Sequence, residues 1–312
     1  MREDKSVVSH KSRTSRRSHH RSSKDTDDSS QNDRSLTNRE HYLYPDTLNE
    51  IPQWLQPAHF VAAMFQFLQA IILFYFASSD DQARWDVYTN YPIPHEFNSN
   101  EHGPPFAERL GSVSLTMYSA IFILLSGIDH ALCSSPWFRQ QNEFCVQRSF
   151  SPNRWYEYSV SAALMRVSVS QIVGMTDLHL LICQFFLTTG TVMLGASHEL
   201  INARARADGG YKQNWMPYWV ACVLQIVSWG LIFWYMSHGN SVGSNPNYVM
   251  PIVITMFFFD GSFAILFALQ WLSVGIFKDF VFGEFCFIMM SFTAKTFLAW
   301  IVYGTAASSK LL

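Results

Sequence analysis

Charge is scarce over most of this sequence. Of its 312 residues only 15% are charged, against 49% hydrophobic and 16% aromatic, and the net charge is −2. A soluble domain alternates apolar and polar stretches on a short scale. Here, beyond residue 50, the apolar runs approach the ~20 residues a helix needs to cross ~30 Å of hydrocarbon. Signatures of classical enzymes are missing as well: there is no phosphate-binding glycine loop, nucleophile elbow or zinc motif. The five cysteines, Cys133, Cys145, Cys183, Cys222 and Cys286, show neither a CxxC pair nor metal-ligand spacing. Cys183, Cys222 and Cys286 fall in apolar stretches, where a small soft side chain is ordinary packing. Cys133 and Cys145 lie near one membrane face, which the topology below puts in the cytosol, so they read as reduced thiols. The chain lacks an apolar h-region near its start, so no secretory signal peptide is expected.

What is present falls into two parts. Residues 1–50 are rich in Ser, Arg and His (HKSRTSRRSHHRSSK) and then acidic (DTDDSSQND). This composition buries no core, so a disordered, solvated tail is expected; the sharper reading is a basic arm resting on anionic lipid or phosphorylated at its serines. Mixed charge and missing aromatics argue against nucleic-acid binding. Residues 51–307 read as one membrane-embedded, all-α domain, with 308–312 as a short extracytosolic end. Hydropathy predicts seven crossings, at about 57–78, 111–134, 152–174, 177–198, 215–237, 247–273 and 281–307. The connection over 79–110 is polar and Pro-rich, and one this long usually has structure or function of its own.

Lys/Arg bias sets the orientation. The tail is basic, the 2–3 connection holds Arg139, Arg148 and Arg154, and the 4–5 connection holds Arg204, Arg206 and Lys212. The 1–2 connection holds Asp80, Asp81, Asp86, Glu96, Glu101 and Glu108 instead, and the 6–7 connection sets Lys278 against Asp279 and Glu284. The N-terminus is therefore expected in the cytosol and the C-terminus outside.

Ionisable groups within a crossing are costly and usually functional. The last segment holds Lys295 (SFTAKTFLAW), near its middle, and the third holds Glu157 (RWYEYSVSAALM). Such a pair has two readings: a salt bridge that fixes packing, or an amine desolvated enough to condense with an aldehyde. Ser291 precedes Lys295 by four residues and Ser161 follows Glu157 by four, each on the same helical face as its neighbour. Either hydroxyl can bond the carboxylate or a Schiff-base nitrogen, and a protonated Schiff base in hydrocarbon needs a nearby anion.

At RWYEYSVSAALM and SFTAKTFLAW the sequence resembles the heliorhodopsins, the inverted-topology branch of microbial-type rhodopsins. Supporting stretches are SAIFILLSGIDH, QIVGMTDLHLL, FAILFALQW and KDFVFGE, and the resemblance covers about residues 55–307. It implies a rhodopsin-like bundle carrying all-trans retinal on Lys295, with Glu157 as the sole carboxylate counterion on the cytosolic side and Ser161 and Ser291 as its hydrogen-bonding partners. Trp155 and Tyr158 belong to the third-segment motif near that site. Met165, Thr188, Val192, Phe259 and Trp300 are implied in or near the chromophore pocket. His130, with Gln69, is implied to line a polar cavity on the cytosolic side, the plain alternative being a satisfied packing histidine. Gln66 stands where the family often has a histidine, which puts an extended histidine proton store in doubt. Asp129, Asp260, Arg166 and Glu199 are further ionisable groups that would form a polar pathway; the plain alternative puts Asp129 and Glu199 at water-exposed helix ends and lets Arg166 snorkel outward. The resemblance also implies a homodimer.

The leading expectation is a photoreceptor in the lipid bilayer, acting on an unknown cytosolic signalling partner. A pump needs a second, separately timed carboxylate on each side of the Schiff base, and Ser161 stands four residues after Glu157, so no pumping is expected. The rivals are a light-gated passive proton or ion channel on the same chromophore, and a transporter or receptor without retinal.

Overall fold

The computed structural model describes residues 49–78, 84–89, 107–208, 212–243 and 246–308. The tail expected to be disordered and the C-terminal end lie almost wholly outside them, as do Asp80, Asp81, Glu96 and Glu101. The described residues form eight α-helices and one two-stranded sheet: α1 Leu55–Ala77, β1 Trp85–Thr89, β2 Glu108–Val113, α2 Leu115–Ser134, α3 Pro136–Gln147, α4 Pro152–Ile172, α5 Leu178–Asp208, α6 Met216–Ser241, α7 Val249–Trp271 and α8 Phe280–Ser308. A 3₁₀ turn at Gly275–Lys278 links the last two.

Six of the helices, α1, α2, α5, α6, α7 and α8, are long and apolar enough to cross a membrane. The third expected crossing, α4, is as long at 21 residues but carries Arg154, Glu157 and Arg166. Its polar residues face inward: Ser159, Ser161, Arg166, Ser168, Ser170 and Gln171 are all buried. The apolar helices do the reverse. Phe60, Ile71 and Tyr75 of α1 and Trp219, Val223 and Trp234 of α6 are exposed on the outside of the bundle. Lipid is as apolar as leucine, so an outside of this kind loses nothing there, and close packing and internal polar contacts hold the helices together.

Around the bundle, α1 packs on α2 and α8, α2 on α4, α4 on α5, α5 on α6 and α7 on α8. The main core lies between Ala120, Phe122 and Ile123 of α2, Val167 and Val169 of α4, and Ala294 and Leu298 of α8. The ends of α4 follow its sequence: Pro152 occupies the first turn, where its missing N–H costs nothing. Past its C-terminus, Gly174 takes φ +93° and the Met175 N–H bonds back to the Ser170 carbonyl at 3.0 Å.

Three expectations need correction. The second crossing begins at Leu115 rather than 111, because 108–113 pairs as a strand, Trp85 opposite Val113 and Val87 opposite Gly111. The Tyr88 N–H ties this hairpin to the Thr176 carbonyl at 2.9 Å, so the long connection does have its own structure. The fourth crossing does not end near 198; α5 runs on to Asp208. The 2–3 connection contains α3, a short helix capped by the Ser135 hydroxyl with Pro136 at its start. It was not expected, because its sequence, PWFRQQNEFCVQ, contains no long apolar run.

Candidate functional site

Lys295 sits near the middle of α8 and is 3% exposed. Its Nζ donates to both oxygens of Glu157 on α4, at 2.7 and 2.8 Å, and to Ser126 Oγ on α2 at 3.0 Å. It also lies 4.9 Å from the centre of the Tyr158 ring. Ser126 in turn accepts from Gln66 Nε2 of α1 at 3.0 Å. The expected partners Ser161 and Ser291 are buried beside the pair, yet neither hydroxyl bonds to it. Ser126 takes that part. It lies four residues before His130 on the same helical face.

The amine opens into a cavity of about 380 Å³ lined by α4, α5, α6, α7 and α8. Its walls include Trp155, Tyr158, Ser161, Met165, Thr188, Val192, Phe259 and Ser291, all expected there. Trp300 does not line it; its Nε1 donates instead to Gln69 Oε1 at 3.0 Å. Gly195 on α5 allows the Trp155 ring to lie flush against the helix, since a Cβ there would come within 2.5 Å of that ring.

A second polar cluster lies on the Arg154 side. Arg154 is buried, donates from Nη2 to Glu199 at 2.7 Å and from Nη1 to Glu284, and stacks 4.1 Å from the Phe287 ring. Glu199 is fully buried and also accepts from Trp155 Nε1 at 2.5 Å and the Ser151 N–H at 3.0 Å. Reading it as a water-exposed helix end is therefore wrong: α5 continues past it. Arg154 and Glu284, counted above as loop charges, are likewise interior. Next to them is a small cavity of about 30 Å³ lined by His59, Asp129, His130, Cys133, Asn153, Arg154 and Glu284. Here His130 Nδ1 faces His59 Nδ1 at 3.0 Å, and Asp129 stands 4.0 Å away. Gln69 is not part of this cavity. Gln66 bonds Ser126 instead, and the α1 histidine that faces His130 is His59, seven residues earlier.

A family model described as Heliorhodopsin matches residues 55–307. The chain belongs to the heliorhodopsin family. No curated protein matches it. Among solved structures it is similar to the light-driven proton pump LR (Mac) from Leptosphaeria maculans, with 9% identity and a TM-score of 0.54, covering 84% of this chain and 98% of that one. It is also similar to Exiguobacterium sibiricum rhodopsin, with 15% identity and a TM-score of 0.54, covering 81% and 97%. At these identities the likeness speaks for the fold alone, a microbial-rhodopsin bundle.

Membership identifies this heliorhodopsin as an integral membrane protein and implies a retinal chromophore. The residues fit one. A buried amine with a carboxylate at 2.7 Å lines a cavity walled largely by aromatic, Met and Ala residues, of the 300–1,000 Å³ typical for a bound small molecule. No group of three or more His, Cys, Asp or Glu among the described residues is placed to hold a metal ion.

The four residues offered as a pathway fall into separate clusters in this heliorhodopsin. Asp129 and Glu199 stand on the Arg154 side, whereas Arg166 and Asp260 line the large cavity. Arg166 does not snorkel outward; it is 4% exposed and donates to Asp260, which also accepts from Gln225 and, at 2.7 Å, from Trp229 Nε1.

Proposed function

We propose that this chain is a light sensor that holds retinal as a protonated Schiff base on Lys295, with Glu157 as counterion, and that it does not pump ions. The observation that carries the reading is the 2.7 Å contact between Lys295 Nζ and Glu157 at the buried end of the large cavity. Bound retinal supplies visible absorption and a light-driven change from all-trans to 13-cis. The chain supplies the rest. Glu157 balances the positive nitrogen, which would otherwise be prohibitively costly so far from water. The single N–H of a Schiff base there would have Glu157 and Ser126, the latter fixed by Gln66, as the acceptors within reach, with Tyr158 covering it.

Were light to turn that N–H away from Glu157, the carboxylate and its surroundings would redistribute a proton together. The His59–His130 pair, across Tyr158 in the small cavity, is the polar store that receives it. Against pumping stands the absence of a second free carboxylate along α4, where Ser161 follows Glu157 by one turn. Asp260 and Glu199 are each tied up by several donors, which favours the sensor over the channel as well.

The reading includes α4 as the seventh crossing. It places the N-terminus in the cytosol, on the side of Arg139, Arg148 and Lys212, and the β1–β2 hairpin with Asp86 and Glu108 outside. Homodimers and a cytosolic partner follow from the family and the sensor role. The test is illumination under voltage clamp together with Glu157→Gln spectra. The expected result is no sustained photocurrent and a strong red shift or a deprotonated chromophore in the variant. A current that reverses with voltage would replace the sensor with a channel, and an unchanged spectrum would remove Glu157 from its role.

A further inference from the structure

Among the ion pairs of the described residues, only Arg166–Asp260 lies in the wall of the large cavity without touching the Lys295 cluster. We infer that this pair sets the wavelength at which the protein absorbs, an inference that rests on the retinal reading above. Both side chains line the same cavity as Lys295, among Met256, Phe259 and Ile226, so a molecule anchored at the amine and filling that space runs past them. Arg166 follows Glu157 by nine residues along α4, a rise of about 13 Å at 1.5 Å per residue. The pair therefore stands in the cavity wall away from the Lys295 amine, where the far portion of a chromophore anchored at that amine would pass it.

One oxygen of Asp260 gathers Arg166, Gln225 and Trp229, while Arg166 stacks 4.1 Å from the Trp229 ring. This cluster joins α4, α6 and α7 and holds both charges at fixed positions. The Asp260 side chain keeps 30% exposure and its second oxygen is not tied up in the same contacts.

Excitation of a protonated polyene Schiff base moves positive charge from the nitrogen towards the far end. An anion near that end lowers the excited state and a cation raises it, and in a cavity of this polarity such fields are weakly screened. Taking away Asp260 and taking away Arg166 must then move the band in opposite directions. This separates tuning from a general loosening of the site, which moves both the same way.

The experiment records absorption maxima of the full chain reconstituted with all-trans retinal, together with alkaline titration of the visible band. Asp260→Asn is expected to shift the band to the blue and Arg166→Met to the red. Gln225→Leu, which keeps both charges, should shift it less than either, and the alkaline midpoint should stay with the parent in all three. Shifts of the same sign, or none, overturn the inference. Should the two neutral variants fail to fold, Arg166→Lys and Asp260→Glu keep the charges but move them; displaced maxima support the inference and parental maxima in both overturn it. A parent protein that stays colourless is a different failure, that of the retinal reading itself.

Discussion

Replacing Arg154 by glutamine gives the largest structural response expected from a single change. The guanidinium is 6% exposed and is the only cation among the described residues contacting Glu199 and Glu284, which belong to α5 and α8. Glu284 is further bonded by Gln270 Nε2 at 3.2 Å, and Glu199 by Trp155 and the Ser151 N–H. Glutamine keeps a donor but removes the charge, so two interior carboxylates lose their compensation. Breaking a buried pair in this way costs about 3–5 kcal/mol. For a domain of roughly 250 residues, where 1 kcal/mol moves the melting point by about 2–4 °C, the loss is a drop of roughly 6–20 °C. The assay is thermal unfolding of the detergent-solubilised protein, followed by tryptophan fluorescence, which Trp155 and Trp271 report from the same region. Adding Glu199→Gln and Glu284→Gln to the variant removes the unpaired charges and should recover much of the loss. If Arg154→Gln melts with the parent, the argument that this cation holds α4, α5 and α8 together is wrong.

Three further outcomes follow from the geometry. Gly195→Ala puts a methyl group within 2.5 Å of the Trp155 ring, and overpacking of this kind costs about 1–3 kcal/mol; it should lower the melting point and slow retinal uptake measured by the rise of the visible band. Ser126→Ala takes a bonding partner from both Lys295 and Gln66, so the alkaline midpoint of the chromophore should move, whereas Ser161→Ala, which breaks no bond, should move it less. Trp300→Phe should leave the absorption maximum near the parental value while Phe259→Leu displaces it, since Phe259 lines the cavity and Trp300 does not.

The residues at the centre of the account were legible in the sequence because they violate the rule that surrounds them. A lone lysine in an apolar run and a carboxylate in a neighbouring one stand out whatever their partners. The helix ends were legible to a few residues wherever hydropathy falls sharply, as at Ala77 and Trp271. The same reasoning failed where charge was paired rather than exposed. Arg154 and Glu284 were counted as loop charges because hydropathy scores a charge and not its neutralising partner 130 positions away. Glu199 was read as a helix end because the apolar run stops there, although the helix does not. His59 went unused because a histidine near the start of a crossing looks interfacial; only the approach of α1 to α2 sets it 3.0 Å from His130. The hairpin and α3 lie in connections where short, mixed segments carry little periodic signal.

The central claim is a covalent one, and chemistry can locate it directly. Purified protein reconstituted with all-trans retinal, reduced with borohydride and digested, is analysed by mass spectrometry for a retinyl-modified peptide. The account predicts a coloured protein whose single adduct maps to Lys295 and disappears in Lys295→Ala. A colourless preparation, or an adduct on any other amine, contradicts it.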